Sequence, residues 1–314
     1  MTNKLPILFI GTADIGAPLL RALSADKRFE IKLVVSQPDK PAGRKLELQP
    51  TAIKAEAIKL GLPVFQPEKI NTPEALSELR KYKPEMIVLM AYGKILKKEI
   101  LDLPLMGCIN VHASLLPRHR GASPIQFCLL SGDKKTGISI MKMEEGMDTG
   151  PVYAAFDFPI TDEDNAETVW DKLAKLTAEK TPDVLISIAE GKVDPKPQDD
   201  SKATFCAKIE KTDGLIDWSE PAKAIALKIR AYAGWPGTYT FWNGKRIKIL
   251  KAEASDISYA HKPGTVTLER EQVRVTAGDG ELILIEVQLE GKNAQPMAEF
   301  IKGHADFVGA ELGV

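Results

Sequence analysis

Residues Leu5 to Gly16, LPILFIGTADIG, set the fold class of the N-terminal half. From Leu5 to Ile10 there is no charged or hydrogen-bonding side chain, and a glycine ends the run. A strand with one wet face alternates polar and apolar residues, whereas a strand covered on both faces is continuously apolar. Beyond Gly16 the apolar residues Leu19, Leu20 and Leu23 fall at helical spacing. The same alternation of elements recurs downstream. Ile31–Val35 reads as a strand, 50–60 as a helix that Gly61 ends, and Met86–Met90 and Cys108–Val111 as further buried strands. Thr72-Pro73-Glu74 has an N-cap hydroxyl followed by proline at the first helical position, so another helix starts there. The fold class expected is α/β: a Rossmann-like, mostly parallel sheet with helices on both faces.

The pair Gly11 and Gly16 invites a dinucleotide-binding reading, but the spacing is not G-x-G-x-x-G and no Gly-Lys-Ser/Thr follows. A tight strand-to-helix turn is expected instead, with an NAD-dependent oxidoreductase as the rival.

After Gly150 the pattern changes. Val152–Ile160 reads as a strand, and Asp164 or Asn165 caps a helix running toward Glu190, with Pro182 as a point of kinking. Residues 191–201 are rich in Pro, Lys and Asp and nearly free of apolar side chains, which is linker composition. Beyond lie a short helix opened by Ser219-Glu220-Pro221 and a hairpin with Asn243-Gly244 at its turn. Gly264, Gly278–Gly280 and Gly291 punctuate the remainder, and a smaller OB-like β-barrel is expected. The division expected is a catalytic domain over 1–190, a linker over 191–205 and a C-terminal β-barrel over 206–314. With 314 residues, two domains are the natural number.

The formal net charge is −1, and 206–314 balances 14 basic against 15 acidic residues. Such a chain is not held to nucleic acid by its overall field, so any RNA contact needs a local patch. Cys108, Cys128 and Cys206 form no Cys-x-x-Cys pair, which argues against a zinc site or a disulfide framework. With no signal-peptide pattern and no apolar stretch of membrane-spanning length, a cytoplasmic protein without membrane contact is expected. A monomer is expected as well.

Chemistry concentrates between Cys108 and Gly150. Asn110 and His112, two apart at a strand end, point to the same side. Ligands in open α/β sheets bind at the carboxyl ends of strands. An amide donor beside an imidazole suits acyl transfer, with Asn stabilising an oxyanion and His moving a proton. A structural His beside a turn-forming Asn accounts equally well for the pair taken alone. The block that follows, Ser114-Leu115-Leu116-Pro117-Arg118-His119-Arg120-Gly121, is polar and basic. Further on, Gly146-Met147-Asp148-Thr149-Gly150 presents a carboxylate on a glycine-flanked turn. Trp218, Trp235 and Trp242 are expected in the barrel core, with a stacking platform as the alternative.

Asn110-x-His112, the Ser114–Gly121 block and Asp148 together resemble the 10-formyltetrahydrofolate-dependent formyltransferases. The resemblance extends over nearly the whole chain, through 36–44, 61–67, 91–96 and 277–280. It implies that an amine attacks the formyl carbon of 10-formyltetrahydrofolate, with Asn110, His112 and Asp148 as the catalytic set and no metal. It also implies that the folate donor lies against Ser114, Leu115, Leu116 and Pro117, with backbone near Tyr92–Ile95 at the pterin. The acceptor it implies is methionyl initiator tRNA, met by Arg44 with Lys40 and Lys45 in the 39–50 insertion. Relatives with the same set formylate glycinamide ribonucleotide or an amino-sugar nucleotide, or hydrolyse the donor, so these stay open, as does a non-catalytic RNA-binding protein. Arg246 and Lys248 share one strand face, opposite Ile247 and Ile249, and are expected to add phosphate contacts. The chain departs from the common pattern at His119, where Tyr or Trp is frequent, and at Lys45, where glycine is common.

Overall fold

The computed structural model describes residues 4–42, 47–256 and 261–313. The chain forms two compact units. One comprises Met1–Pro124, Lys135–Pro159 and Trp170–Ala207; the other comprises Ile125–Lys134, Ile160–Val169 and Lys208–Val314. No helix of the described residues is long and apolar enough to cross a membrane.

The first unit is built on a seven-stranded sheet of β1 (Leu5–Gly11), β2 (Phe29–Val35), β3 (Val64–Phe65), β4 (Met86–Met90), β5 (Cys108–His112), β6 (Lys135–Lys142) and β7 (Val152–Pro159). Their spatial order is β7-β6-β5-β4-β1-β2-β3, parallel from β3 to β5, with β6 antiparallel to β5 and β7 antiparallel to β6. Every residue of β4 and β5 is buried, as expected of strands covered on both faces. Each Leu, Ile or Val so enclosed contributes about 1.5–3 kcal/mol of transfer free energy. Because β1 is flanked by β2 on one side and β4 on the other, the strand order reverses beside it. The carboxyl ends of β1, β4 and β5 therefore open on the crevice where such sheets take ligands.

Helices α1 (Ala17–Ala25), α2 (Ala52–Lys59) and α3 (Pro73–Lys81) supply the connections. The Thr72 hydroxyl accepts from the backbone of Ala75 at 3.2 Å, the N-cap its sequence position calls for. Gly11 serves packing. A side chain there would lie 2.8 Å from the Met90 carbonyl, so glycine is needed for β1 to approach β4 closely at its exit. Strand β6 was not legible in the sequence.

In the second unit β8 (Tyr239–Trp242), β9 (Lys245–Ser255), β10 (Val266–Glu269), β11 (Gln272–Thr276), β12 (Glu281–Leu289) and β13 (Gln295–Pro296) form an antiparallel half-barrel. The order is β8-β9-β12-β11-β10, with β13 on β12. Asn243 and Gly244 both take positive φ, 49° and 72°, as a two-residue hairpin turn requires. Ile247, Ile249, Val273, Val275, Leu282 and Leu284 fill its core. Trp218 and Trp242 are in that core, each 5% exposed, but Trp235 is 56% exposed and departs from the expectation for the three tryptophans.

Helix α4 (Ala166–Ala189) is continuous through Pro182. The Asn165 side chain caps it, accepting from the backbones of Glu167 and Thr168 at 3.0 Å each. Residues 191–205, expected to be a linker, differ from that description. They belong to the first unit, pair at Lys196 with Val152, and carry Phe205–Cys206 into a parallel pair with Arg120–Gly121. Their composition reports the absence of apolar burial, whereas hydrogen bonds hold this segment in place.

Candidate active site

Strand β5 ends on the site. Along it Asn110 and His112 face one side and are 7% and 6% exposed. Asn110 is registered against Met141 of β6, and His112 against Ser139. The turn after β6 then returns Asp148 to them. Asp148 holds φ +54°, a left-handed conformation that Asp tolerates better than most residues. Its carboxylate is placed by three groups. The Gly121 backbone N–H donates to Oδ2 at 2.9 Å, Asn110 Nδ2 donates to Oδ1 at 3.4 Å, and His112 Nδ1 stands 3.6 Å from Oδ2. The structure thus brings Asn110, His112 and Asp148 into one constellation.

The other imidazole nitrogen fixes the tautomer. His112 Nε2 lies 2.9 Å from the His119 carbonyl, which only accepts, so Nε2 carries a hydrogen. Nδ1 is left facing the Asp148 carboxylate, 3.6 Å from Oδ2. His119 itself has φ +58°, which helps aim its carbonyl at His112, and its own N–H donates to Thr204 Oγ1 at 2.9 Å.

Gly121 is required by two separate constraints. Its φ of +125° is rare for L side chains, and a Cβ there would sit 2.3 Å from the Cys206 carbonyl. Through that close approach the 198–206 segment reaches the site. Gln198 Nε2 donates to the carbonyls of Asp148, at 2.8 Å, and Gly150, at 2.7 Å. Arg120, 3% exposed, grips Gln198 Oε1 with Nε and Nη2 at 3.1 and 2.8 Å, and reaches Asp200 at 2.7 Å. Sequence reasoning missed both residues. Arg120 lay in the 114–121 block without a role of its own, and Gln198 lay in a stretch whose composition signals no packing.

Of the residues expected to meet folate, Leu115 and Pro117 line a concavity of about 460 Å³ together with Arg118 and Ser201–Thr204. That volume falls in the range of small-molecule sites. Ser114 and Leu116 shape this loop from within. The buried Ser114 hydroxyl donates to the Arg118 carbonyl at 2.7 Å, while Ser139 Oγ donates to the Ser114 carbonyl and accepts from Leu116 N. The Tyr92 ring is buried, which pushes its hydroxyl up to about 12, and its carbonyl accepts from Thr12 and Gln37.

Among the expected acceptor contacts, Lys40 is exposed at the start of a short antiparallel pair, Lys40–Ala42 with Glu47–Gln49. Arg44 and Lys45 lie outside the described residues. Arg246 and Lys248 are half-buried on the face of β9 opposite the buried Ile247 and Ile249, as their alternation implies. The Arg246 guanidinium lies 4.6 Å from the centre of the Tyr239 ring. Cys108 is enclosed, with its thiol pushed up to about 12 by burial, so it is a core residue rather than a nucleophile.

The model of the family described as formyl transferase matches residues 3–185, and that of the formyl transferase C-terminal domain matches 208–305. A methionyl-tRNA formyltransferase of Caldanaerobacter subterraneus is 42% identical over 299 residues, covering 95% of this chain and 96% of that protein. One from Bdellovibrio bacteriovorus is 43% identical over 318 residues, covering 99% of this chain and all of the other. The solved structure of methionyl-tRNA formyltransferase from Clostridium thermocellum superposes with a TM-score of 0.56 at 18% identity, over 87% of this chain and 99% of that one.

Proposed function

The chain belongs to the formyl transferase family, and on that premise we infer that it transfers the formyl group of 10-formyltetrahydrofolate to the α-amino group of methionyl initiator tRNA. The product, formylmethionyl-tRNA, serves translation initiation. Near-full-length relatives at about 40% identity carry this name, which favours tRNA over a small amine as acceptor.

One observation supports the catalytic roles above all: Nε2 of His112 is anchored on the His119 carbonyl, so Nδ1 faces the Asp148 carboxylate beside the Asn110 amide. In this reading the neutral methionyl amine attacks the formyl carbon, forming the new C–N bond and placing negative charge on the formyl oxygen. Asn110 has a second amide hydrogen beyond the long one given to Asp148, and that hydrogen stabilises the oxyanion. Nδ1 of His112 takes the proton the amine sheds, and Asp148 stabilises the resulting imidazolium. The same proton passes to N10 of the folate as the C–N10 bond breaks, releasing formyl-amide and tetrahydrofolate. None of these steps calls on a metal.

The donor is held by the 114–117 loop, with Leu115 and Pro117 offering apolar surface and Ser114 holding the loop in shape. The acceptor is met by Arg44, Lys40 and Lys45, as the family resemblance of the 39–50 insertion implies, and by Arg246 and Lys248, which share one strand face. The protein works as a cytoplasmic monomer. Replacing His112 by Ala should abolish turnover without loss of fold, and near-normal rates would refute the assignment. Arg44→Ala should raise the KM for tRNA and leave donor binding unchanged; equal loss of both would refute the loop's role.

A further inference from the structure

Asp148 sits in a left-handed conformation at the tip of a turn, with a fifth of its side chain exposed, yet its carboxylate must hold one position against His112. Two of the turn's carbonyls, those of Asp148 and Gly150, are bonded by one side-chain amide, that of Gln198. Gln198 cannot rotate away, because its Oε1 takes two hydrogen bonds from the buried Arg120. Its segment is fixed on both sides. Lys196 exchanges backbone hydrogen bonds with Val152 at 2.8 and 2.9 Å, and 204–206 is bonded to Pro117, Arg120 and Ala122.

Arg120 is followed directly by Gly121, whose N–H holds Asp148 Oδ2. The backbone and the carboxylate of the same residue are thus secured from one place, the Arg120–Gly121 pair.

We propose that Gln198, held by Arg120, is a positioning residue for formyl transfer: it fixes the Asp148 turn so that the carboxylate meets His112 Nδ1. The proposal rests on the catalytic reading of Asp148 but not on the identity of the acceptor. Gln198 is not among the residues lining the concavity at Leu115 and Pro117, so its loss should appear in kcat and spare both KM values. A shift of about 1 Å in a reacting group costs on the order of 100-fold in rate, so a loss of about 10- to 100-fold is expected.

Two variants separate this role from simple attachment of the segment. Gln198→Ala removes every hydrogen bond of the side chain. Gln198→Glu keeps acceptors for Arg120, strengthened by charge, but has no N–H for the two carbonyls. Both proteins would be assayed in full-length form for kcat and for the KM of donor and acceptor, with thermal melting as the check on folding. The expected result is that Glu is as impaired as Ala in kcat, while each KM stays within about twofold of wild type. Wild-type kcat in the Glu variant, or losses confined to KM, would overturn the proposal. If Ala does not fold, the Glu variant decides. If wild type fails on methionyl-tRNA but works on a small amine, the acceptor reading falls, and the same kcat ratio is read on that amine.

Discussion

Replacing Asp148 by Asn keeps the volume of the side chain and removes its charge, which isolates the electrostatic role. The amide oxygen must stay on the Gly121 N–H, since that donor is otherwise left without its partner. The amide nitrogen then faces Asn110 Nδ2, donor against donor, where a 3.4 Å hydrogen bond stood. What His112 loses is the attraction between an imidazolium Nδ1 and a carboxylate 3.6 Å away. At an effective dielectric of about 20, that attraction is at most about 4.6 kcal/mol, which at 1.36 kcal/mol per decade corresponds to about 2,500-fold in rate. The carboxylate is 18% exposed, and the water reaching it lowers this ceiling. A fall in kcat of about 100- to 1000-fold is therefore expected. The assay is single-turnover formylation of methionyl-tRNA at saturating donor, with donor affinity measured separately by calorimetry. A variant retaining kcat within about tenfold of wild type would refute the claim that Asp148 acts by stabilising the imidazolium.

Gly121→Ala should destabilise the protein by about 3 kcal/mol, because φ is +125° and the new Cβ meets the Cys206 carbonyl at 2.3 Å. An unchanged urea midpoint together with full activity would show that the strand pair at Gly121 is dispensable. Replacing Arg246 and Lys248 together by Ala should weaken tRNA binding and flatten its salt dependence by about 0.7–0.9 in log–log slope for each phosphate no longer neutralised. An identical slope in a potassium chloride titration would place those side chains off the RNA. The three cysteines are buried, and burial pushes Cys108 up to about 12 and Cys206 upward as well. Iodoacetamide at mildly alkaline pH should therefore leave the native protein unlabelled and modify all three thiols in urea; rapid native labelling would contradict their enclosure.

The parallel sheet was readable because β1 and β4 carry no polar side chain at any position, a pattern that two-sided burial explains. The pair Asn110 and His112 was readable because a period of two sends both side chains the same way from the end of β5. Strand β6 escaped because Lys135, Thr136, Gly137 and Ser139 dilute its apolar signal, although Thr136 and Ser139 are enclosed. Arg120 and Gln198 escaped for a different reason. Gln198 bonds carbonyls 50 and 48 residues away, and Arg120 reaches Gln198 across 78 residues, links that no local periodicity encodes. The 191–205 segment shows the same limit, since polar composition describes how little apolar surface a segment buries and says nothing of the hydrogen bonds that order it.

If the Asn110–His112–Asp148 site moves a formyl group from folate to charged tRNA, the label of the donor must follow that path. Wild-type protein is supplied with 10-formyltetrahydrofolate labelled in the formyl group. Methionyl initiator tRNA, glycinamide ribonucleotide and an amino-sugar nucleotide are offered together as acceptors. Label on the methionyl α-amine, absent from the small acceptors and lost with His112→Ala, is the predicted result. Label on a small amine with none on methionyl-tRNA, or none on any acceptor, would contradict it.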